Sequence, residues 1–231
     1  MLRNEGVKMF IETERLIIRD LMEQDAAALL EIKYDEQVLK YDPTFIKRDA
    51  TIDFVRTAIA FFQSVKDKKL IIDDQHPERG NLFAICLKAS CDVIGIITVH
   101  PLEYLYEVQM GWMMNGKYTG KGYASEAGAT ASDYLLETLS LDYISVVMDT
   151  DNPASFRTAQ KSGFKLFEKR YPYDYFYSKC NVESFDEVAK HFKEIQTREH
   201  CGSYYYFRKF NKNSKITSRY YGDTKYDGRF S

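Results

Sequence analysis

The segment from Lys117 to Ala127, KYTGKGYASEA, limits the possible folds of this chain more than any other stretch. Its two glycines and two lysines follow a short apolar run and lead directly into an alanine-rich pattern with helical spacing. A strand that turns through glycines into a helix leaves the first N–H groups of the helix unbonded, so that they can face an anion. The pattern predicts an anion-binding loop, although a pair of glycines alone more often marks a simple turn.

Composition and charge exclude several classes of protein. The chain has 231 residues, of which 45% are hydrophobic, so it can bury a sizeable core. The net charge is −2, with acids and bases intermixed, which argues against a nucleic-acid binder. No apolar run is long enough to cross a membrane, and the N-terminus lacks the apolar core of a signal peptide. We therefore expect a cytoplasmic protein with neither a nucleic-acid nor a membrane partner.

The cysteines and histidines form no recognisable metal or catalytic motif. No C-x-x-C pair occurs and no histidine stands at ligand spacing, and the four cysteines are Cys86, Cys91, Cys180 and Cys201. We expect free thiols and no metal. A P-loop nucleotide site is also excluded, because the chain contains no Gly-x-x-x-x-Gly-Lys-Ser/Thr.

The first half of the chain predicts a strand, two helices and an antiparallel meander. The strand covers residues 16–21, and the helices begin near Asp25 and near Ile52. The meander consists of three strands joined by short turns, at residues 82–88, 93–99 and 104–114. In its third strand, Glu107 lies on the face opposite to Met110.

The second half predicts a strand-helix-strand crossover, a capped helix and further strands. The helix after the glycine loop reaches Leu139, and the nearly continuous apolar strand 143–148 suits an interior position beside a parallel neighbour. Asn152 as N-cap and Pro153 as first helical residue start the next helix, which Gly163 closes. The remaining elements are a strand at 164–177, a helix at 183–199 and a strand at 203–210.

These elements predict an α+β (α/β) fold, a mixed and mostly antiparallel twisted sheet flanked by helices, with a central β-α-β crossover. A single domain covers residues 9–210 and carries an inserted helix near 183–199. We expect residues 1–8 to form a disordered or upstream leader and the polar residues 211–231 a disordered tail.

Two motifs stand in a fixed order among these elements. The first is the glycine loop, and the second, N-x-x-S followed by K-x-G-F, extends from Asn152 to Phe164. With the order of elements over roughly residues 10–177, they resemble the Gcn5-related N-acetyltransferase (GNAT) family, more narrowly its ribosomal-protein alanine acetyltransferase branch. The cofactor loop of the family has the form Q/R-x-x-G-x-G/A, so Lys117 departs from the pattern but keeps the charge. The continuation G-Y-A-x-E-A, common in this branch, is present at residues 122–127.

The resemblance implies a GNAT-like fold and acetyl-CoA as the acetyl donor. The amides of the loop could hold the pyrophosphate at the positive end of the helix dipole, with Lys117 or Lys121 adding charge. The peptide-like pantetheine arm would lie between the third meander strand and the strand at 144–148. Capping alone also explains Asn152. The implied cofactor-binding residues are Met110, Gly111, Trp112, Lys117, Gly120, Lys121, Gly122, Tyr123, Ala124, Asn152, Ser155 and Lys161.

Acetyl transfer to an amine needs a base and a hydrogen-bond donor to the developing oxyanion. Glu107 is the candidate base, acting directly or through a water, although an exposed strand glutamate needs no function. The resemblance implies the backbone N–H of Met110 as the oxyanion donor. Many family members place a tyrosine acid in the Asn-capped helix, where this chain has Ala159, so the acid stays unassigned.

The acceptor is poorly marked in the sequence. We expect a primary amine, either a peptide N-terminus or a small molecule such as a polyamine. Acidic residues such as Asp35 and Glu36 could attract a cationic amine, although charged loops are usually only solvated. A non-catalytic acyl-CoA sensor is the alternative from a different class. The oligomeric state cannot be read from the sequence, and a homodimer stays open.

Overall fold

The described residues form an eight-stranded sheet, and they are residues 9–41, 51–53, 55, 56, 59, 81–102, 107–170 and 204–213 of this computed structural model. The strands are β1 (Phe10–Glu12), β2 (Leu16–Asp20), β3 (Asn81–Leu87), β4 (Val93–Leu102), β5 (Glu107–Met114), β6 (Tyr143–Asp149), β7 (Lys165–Arg170) and β8 (Tyr204–Phe210). Their order across the sheet is β1-β2-β3-β4-β5-β6-β8-β7. β5 and β6 are parallel, and all other neighbours are antiparallel.

Helices cover both faces of the sheet. Those with described bounds are α1 (Ala26–Lys33), α2 (Glu36–Tyr41), α3 (Tyr123–Thr138) and α4 (Pro153–Lys161). α3 and α4 pack on one face, where Ala127 and Ala131 are fully buried, and α1 and the helical residues around Val55 pack on the other. The core under α3 and α4 is called the first core, and the core under α1 the second core. Along β4, Ile97 packs into the first core and Ile96 into the second, because successive strand residues point to opposite faces.

A shielded ion pair attaches the start of α1 to the sheet. Arg19 of β2 donates through Nη1 and Nη2 to Asp25 at 2.6 and 2.9 Å, and Asp25 also accepts from the N–H of Met22 at 2.7 Å. Asp25 is only 4% exposed. The hydrogen bond to Asp25 raises the pKa of Arg19. Loss of Asp25 would leave the guanidinium without its counter-ion in a mostly buried position.

The structure confirms the α+β class, the antiparallel meander and the crossover β5-α3-β6. The strand predicted at 143–148 is β6 and is interior, but its long ladder is antiparallel and runs with β8, since the last strand inserts between β6 and β7. The predictions missed β1 and α2, which have three and six residues, because elements this short show little periodicity.

Several predictions fall on parts of the chain outside the described residues. These are the leader at 1–8, the end of the strand at 171–177, the helix at 183–199 and the tail beyond residue 213. The domain boundaries therefore stay predictions. No described helix combines the length and the apolar character needed to span a membrane.

Candidate functional site

The glycine loop has the geometry that its sequence predicts. Gly120 and Gly122 have φ angles of +75° and +82°, in the left-handed region that favours glycine, and Gly122 is the N-cap of α3. The carbonyl oxygen of Gly122 accepts a hydrogen bond from the N–H of Glu126 at 3.0 Å. Within the described residues, the N–H groups from Gly120 to Ser125 donate to no acceptor. These amides form a surface suited to an anion at the positive end of the helix dipole.

The turn before the glycine loop, at residues 115–118, is hydrogen-bonded to α1 and to Asp35, which follows α1. The side-chain oxygen of the buried Asn115 accepts from the N–H of Lys117 at 3.1 Å, and Asp35 accepts from the N–H of Gly116 at 2.8 Å. Nζ of Lys117 donates to Glu31 of α1 at 2.5 Å. This bond raises the pKa of Lys117 and lowers the pKa of Glu31. The charge of Lys117 is therefore already compensated in this structure.

Lys121 differs from Lys117 in its electrostatic surroundings. Its Nζ donates to the carbonyl oxygen of Lys117 at 3.2 Å and lies 5.4 Å from the centre of the Tyr118 ring. Lys121 is exposed and, among the described residues, forms no ion pair with a carboxylate. Of the two loop lysines, Lys121 is the one whose charge is available beside the free amides.

Arg15 and Thr13, which belong to neither motif, hold the loop from its other side through Glu126. Arg15, just before β2, contacts Glu126 through Nη2 at 2.6 Å and Nε at 2.7 Å, and its Nη1 donates to the carbonyl oxygen of Lys121 at 3.0 Å. Glu126 also accepts from the N–H of Arg15 and from the hydroxyl of Thr13, at 3.1 and 2.5 Å. The guanidinium lies 4.6 Å from the centre of the Tyr123 ring.

These contacts determine the ionisation of Glu126. Burial by itself raises its pKa, but the hydrogen bonds from Thr13 and Arg15 outweigh burial, so the pKa of Glu126 is lowered. Arg15 and Glu126 are 111 positions apart, and no local pattern connects them. The available signal was an acid in the first turn of a helix that begins at an anion loop, because this acid and a bound anion repel each other unless a cation lies nearby.

β5 and β6 stop pairing soon after they meet. Their ladder consists of one pair, Gln109 with Ser145, and the Ser145 hydroxyl donates to the carbonyl oxygen of Val108 at 3.4 Å. β5 continues to Met114 and β6 to Asp149 without further pairing between them. Parallel strands that stop pairing leave backbone N–H and C=O groups available along a gap between them. From the single pair, β5 runs directly toward the glycine loop.

The two predicted catalytic residues lie on either side of that single pair. Glu107 is the first residue of β5 and stands opposite Leu102 of β4. Met110 is the first residue of β5 beyond Gln109, and its side chain is 1% exposed in the core. The backbone of Met110 therefore lies where the two strands begin to separate.

Gly111 and Trp112 follow Met110 along β5, on the stretch that does not pair with β6. Gly111 stands opposite Thr98, and a Cβ atom at Gly111 would lie 2.6 Å from the Thr98 hydroxyl oxygen. The Trp112 ring packs edge to face against Phe164, with 6.4 Å between ring centres. Its indole is thus part of the packing between β5 and the end of α4.

The two ends of α4 lie in different parts of the candidate site. Asn152 caps its start, and its side-chain oxygen accepts from the N–H of Ser155 at 3.0 Å. At its end, the Ser162 hydroxyl donates to the carbonyl oxygen of Ser125 in the first turn of α3 at 3.1 Å. The exposed Lys161 therefore lies on the side of the glycine loop, whereas Ser155 and Asn152 lie roughly 9 and 13 Å away along the helix, toward its other end.

The position of the missing tyrosine is part of the core. Ala159 has no exposed surface and packs among the residues of the first core. Cys86 and Cys91 are free thiols, as expected. Within the part of the chain that the structure describes, no three His, Cys, Asp or Glu side chains are placed to share a metal ion.

A cavity of about 600 Å³ lies between α1 and the turn before the loop. Its lining is partly apolar and partly acidic, and it includes Leu30, Tyr34, Glu31, Asp35, Glu36 and Lys117. Among these residues are three carboxylates and one lysine, so negative charge exceeds positive charge among the charged groups named here. Lys117 lines the cavity and is also the first residue of the glycine loop segment, so the cavity adjoins the loop.

Comparison with known proteins finds relatives over most of the chain. A family model described as "Acetyltransferase (GNAT) domain" matches residues 15–165. The uncharacterized N-acetyltransferase YnaD of Bacillus subtilis (strain 168) is 28% identical over 169 residues, which are 71% of this chain and 89% of YnaD. The uncharacterized N-acetyltransferase YoaA of the same organism is 26% identical over 175 residues, 71% of this chain and 92% of YoaA.

Solved structures share the fold. An acetyltransferase of the GNAT family from Bacillus anthracis has a TM-score of 0.62 and 24% identity, and the match covers 87% of this chain and 98% of that one. Ribosomal-protein-S5-alanine acetyltransferase from Vibrio fischeri has a TM-score of 0.63 and 14% identity, with 90% and 100% covered. At these identities the likeness establishes the fold alone.

Proposed function

The chain belongs to the GNAT acetyltransferase family, and we propose that it moves the acetyl group of acetyl-CoA to a primary amine. The amine attacks the donor directly while both substrates are bound, in a ternary complex. The acceptor is a peptide N-terminus or a small-molecule amine. Family membership supports acetyl transfer from acetyl-CoA in general. The acceptor class, the mechanism and the roles of individual residues are our proposal.

The gap between β5 and β6, next to the free amides of the glycine loop, is the observation that carries this proposal. Two unpaired strand edges can bind the amide-bearing pantetheine arm as an added strand, along Met110–Trp112 and the facing end of β6. The amides from Gly120 to Ala124 then receive the pyrophosphate at the start of α3. One extended ligand with amides at one end and phosphates at the other matches both features.

The charged residues around the loop have separate roles in this arrangement. Lys121 adds positive charge to the pyrophosphate site, because no carboxylate among the described residues neutralises it. Lys117 holds the preceding turn to α1 through Glu31 and so supports the position of the loop that receives the cofactor. Lys161 approaches the cofactor from the end of α4, and the start of that helix, at Asn152 and Ser155, contacts it from the other side of the gap.

The chemical step requires a proton acceptor and a donor to the carbonyl oxygen. The amine nitrogen attacks the thioester carbonyl carbon, the C–S bond breaks, and coenzyme A leaves as a thiolate. Glu107 takes the amine proton directly or through a water, and the N–H of Met110 donates to the oxygen as it becomes negative. Ala159 is buried and has no acidic group, so the thiolate takes its proton from solvent.

Release of thiol from acetyl-CoA across a panel of amines tests the proposal. The panel contains peptides with different N-terminal residues, linear polyamines and aminoglycoside-type amines, and mass spectrometry identifies the acetylated product. We expect amine-dependent release with one class of acceptor. Binding of coenzyme A without release for any amine would contradict catalysis and favour a sensor.

The Glu107→Gln variant tests the assigned base. Turnover should fall by about a hundredfold, the usual range for loss of a general base, and most strongly at low pH, where unprotonated amine is scarce. Glu12→Gln on β1, whose side chain pairs with Lys88, is the matched surface control and should retain wild-type turnover. A Glu107→Gln enzyme with an unchanged pH profile would remove Glu107 from the mechanism.

A further inference from the structure

Arg15 and Glu126 join the turn between β1 and β2 to the glycine loop. Nε and Nη2 of Arg15 both contact Oε2 of Glu126, while Nη1 contacts the carbonyl oxygen of Lys121. The turn itself is held by Thr13, whose hydroxyl oxygen accepts from the N–H of Leu16 at 2.9 Å. A guanidinium with three nitrogens bound at once has one orientation, so the contact is directional as well as electrostatic.

The bond from Arg15 to Lys121 determines which way the following amide points. The C=O of Lys121 and the N–H of Gly122 belong to one planar trans peptide and point in opposite directions. Because that carbonyl points toward Arg15, the N–H of Gly122 points away from it. At the next peptide, the C=O of Gly122 accepts from the backbone of Glu126, so the N–H of Tyr123 points out of the helix start. Both amides are free to meet an anion.

The charge of Glu126 makes its partner necessary at this position. Glu126 is in the first turn of α3, next to the amides that would bind a phosphate. An uncompensated carboxylate here would repel the phosphate and interact with the same end of the helix dipole. Arg15 neutralises it at a contact distance of 2.6 Å.

We propose that Arg15 and Glu126 are positioning residues that set the affinity of the glycine loop for the pyrophosphate of coenzyme A. This inference rests on the proposed function. The pair touches neither the acetyl group nor the amine, and it acts through the amides of Gly122 and Tyr123 and through the charge balance of the loop. Its loss weakens donor binding and leaves the chemical step intact.

Titration calorimetry with coenzyme A and steady-state kinetics on the full chain test this inference. Arg15→Ala should raise the Kd for coenzyme A by about tenfold to a hundredfold, the range expected when hydrogen bonds to a charged group are lost. The kcat at saturating acetyl-CoA should stay within about twofold of wild type, as expected for loss of binding alone. With S-acetyl-pantetheine, a donor without the pyrophosphate, Arg15→Ala and wild type should have the same KM.

Three further variants separate positioning from general damage. Arg15→Lys keeps the charge but cannot make the three simultaneous contacts of the guanidinium. It should therefore bind coenzyme A with intermediate affinity, even if Arg15→Ala fails to fold. Adding Glu126→Gln to Arg15→Ala removes the uncompensated charge and should recover about threefold or more of the lost affinity. Lys88→Ala removes the ion pair with Glu12 in the same turn without touching the loop, and it should behave as wild type.

Two results would overturn the inference. The first is an Arg15→Ala protein that binds coenzyme A as tightly as wild type does. The second is an Arg15→Ala protein whose KM rises equally for acetyl-CoA and for S-acetyl-pantetheine, which would indicate a defect unrelated to the pyrophosphate. A wild-type protein that neither binds coenzyme A nor releases thiol would instead contradict the proposed function, so the two failures are distinguishable.

Discussion

Replacing Gly120 by alanine tests the shape of the glycine loop with the fewest side effects. Gly120 has a φ of +75°, and a Cβ atom added there would meet no heavy atom within 4 Å. The substitution therefore introduces no clash with the described residues, and in the free protein its effect is the cost of holding a residue with a side chain in the left-handed region. Gly122 offers a less clean test, because its added Cβ would lie 3.4 Å from Nη2 of Arg15.

The magnitude follows from the backbone alone. A left-handed conformation costs a residue other than glycine about 1–2 kcal/mol, which corresponds to about fivefold to thirtyfold in an equilibrium constant. This cost is divided between folding and binding. Because the loop is exposed and its amides have no partner among the described residues, it can relax locally in the free protein, so most of the cost should appear in the Kd for coenzyme A.

Calorimetric titration with coenzyme A and urea unfolding measure the two parts of this cost. We expect Gly120→Ala to bind about fivefold to thirtyfold more weakly and to lose less than about 1 kcal/mol of unfolding free energy. Gly120→Asn is the matched control, since asparagine tolerates the left-handed region better and should lose less affinity. If Gly120→Ala changed neither the affinity for coenzyme A nor the stability, the left-handed loop would not be the binding conformation.

Three further predictions concern the ion pair at the start of α1, the cap of α4 and the ionisation of Glu126. Asp25→Ala should cost about 3 kcal/mol of unfolding free energy in urea, because Arg19 loses its shielded counter-ion; a loss below about 1 kcal/mol would contradict this. Asn152→Ala should cost about 1 kcal/mol through the lost cap and also raise the Kd for coenzyme A, whereas a loss of stability alone would reduce Asn152 to a cap. The lowered pKa of Glu126 gives stability that is complete above the ordinary carboxyl pKa of 4.5 and is lost as the pH falls through the lowered value. The Tm of Glu126→Gln should therefore fall less than that of wild type between about pH 5 and pH 3, and equal slopes would argue against the shift.

Local patterns were sufficient for the features whose partners are close in the chain. The glycine turn, the start of α3 and the Asn152 cap each involve residues within a few positions, and each was predicted. The alternation along β5 was predicted for the same reason, and Met110 is buried as its face requires. The family motifs then indicated the fold, which depends on the order of elements more than on any contact.

Contacts between distant residues could not be predicted in this way. The sequence of the loop does not show which of its two lysines is paired, and only the position of α1, with Glu31 86 residues before Lys117, shows that it is Lys117. Arg15 has no unusual sequence context, yet it is bound to the loop in the folded chain. The single pair between β5 and β6 is likewise invisible in an apolar strand, because pairing is a property of both strands and of the helix that joins them.

A crystal structure of the complex with coenzyme A would show whether the glycine loop and the gap between β5 and β6 form the cofactor site. We expect the pantetheine arm between β5 and β6 beyond Gln109 and Ser145, with the thiol near the backbone of Met110. We also expect the pyrophosphate on the amides from Gly120 to Ala124. Coenzyme A bound at another surface, or a gap closed by pairing of β5 with β6 along their whole length, would contradict this cofactor site.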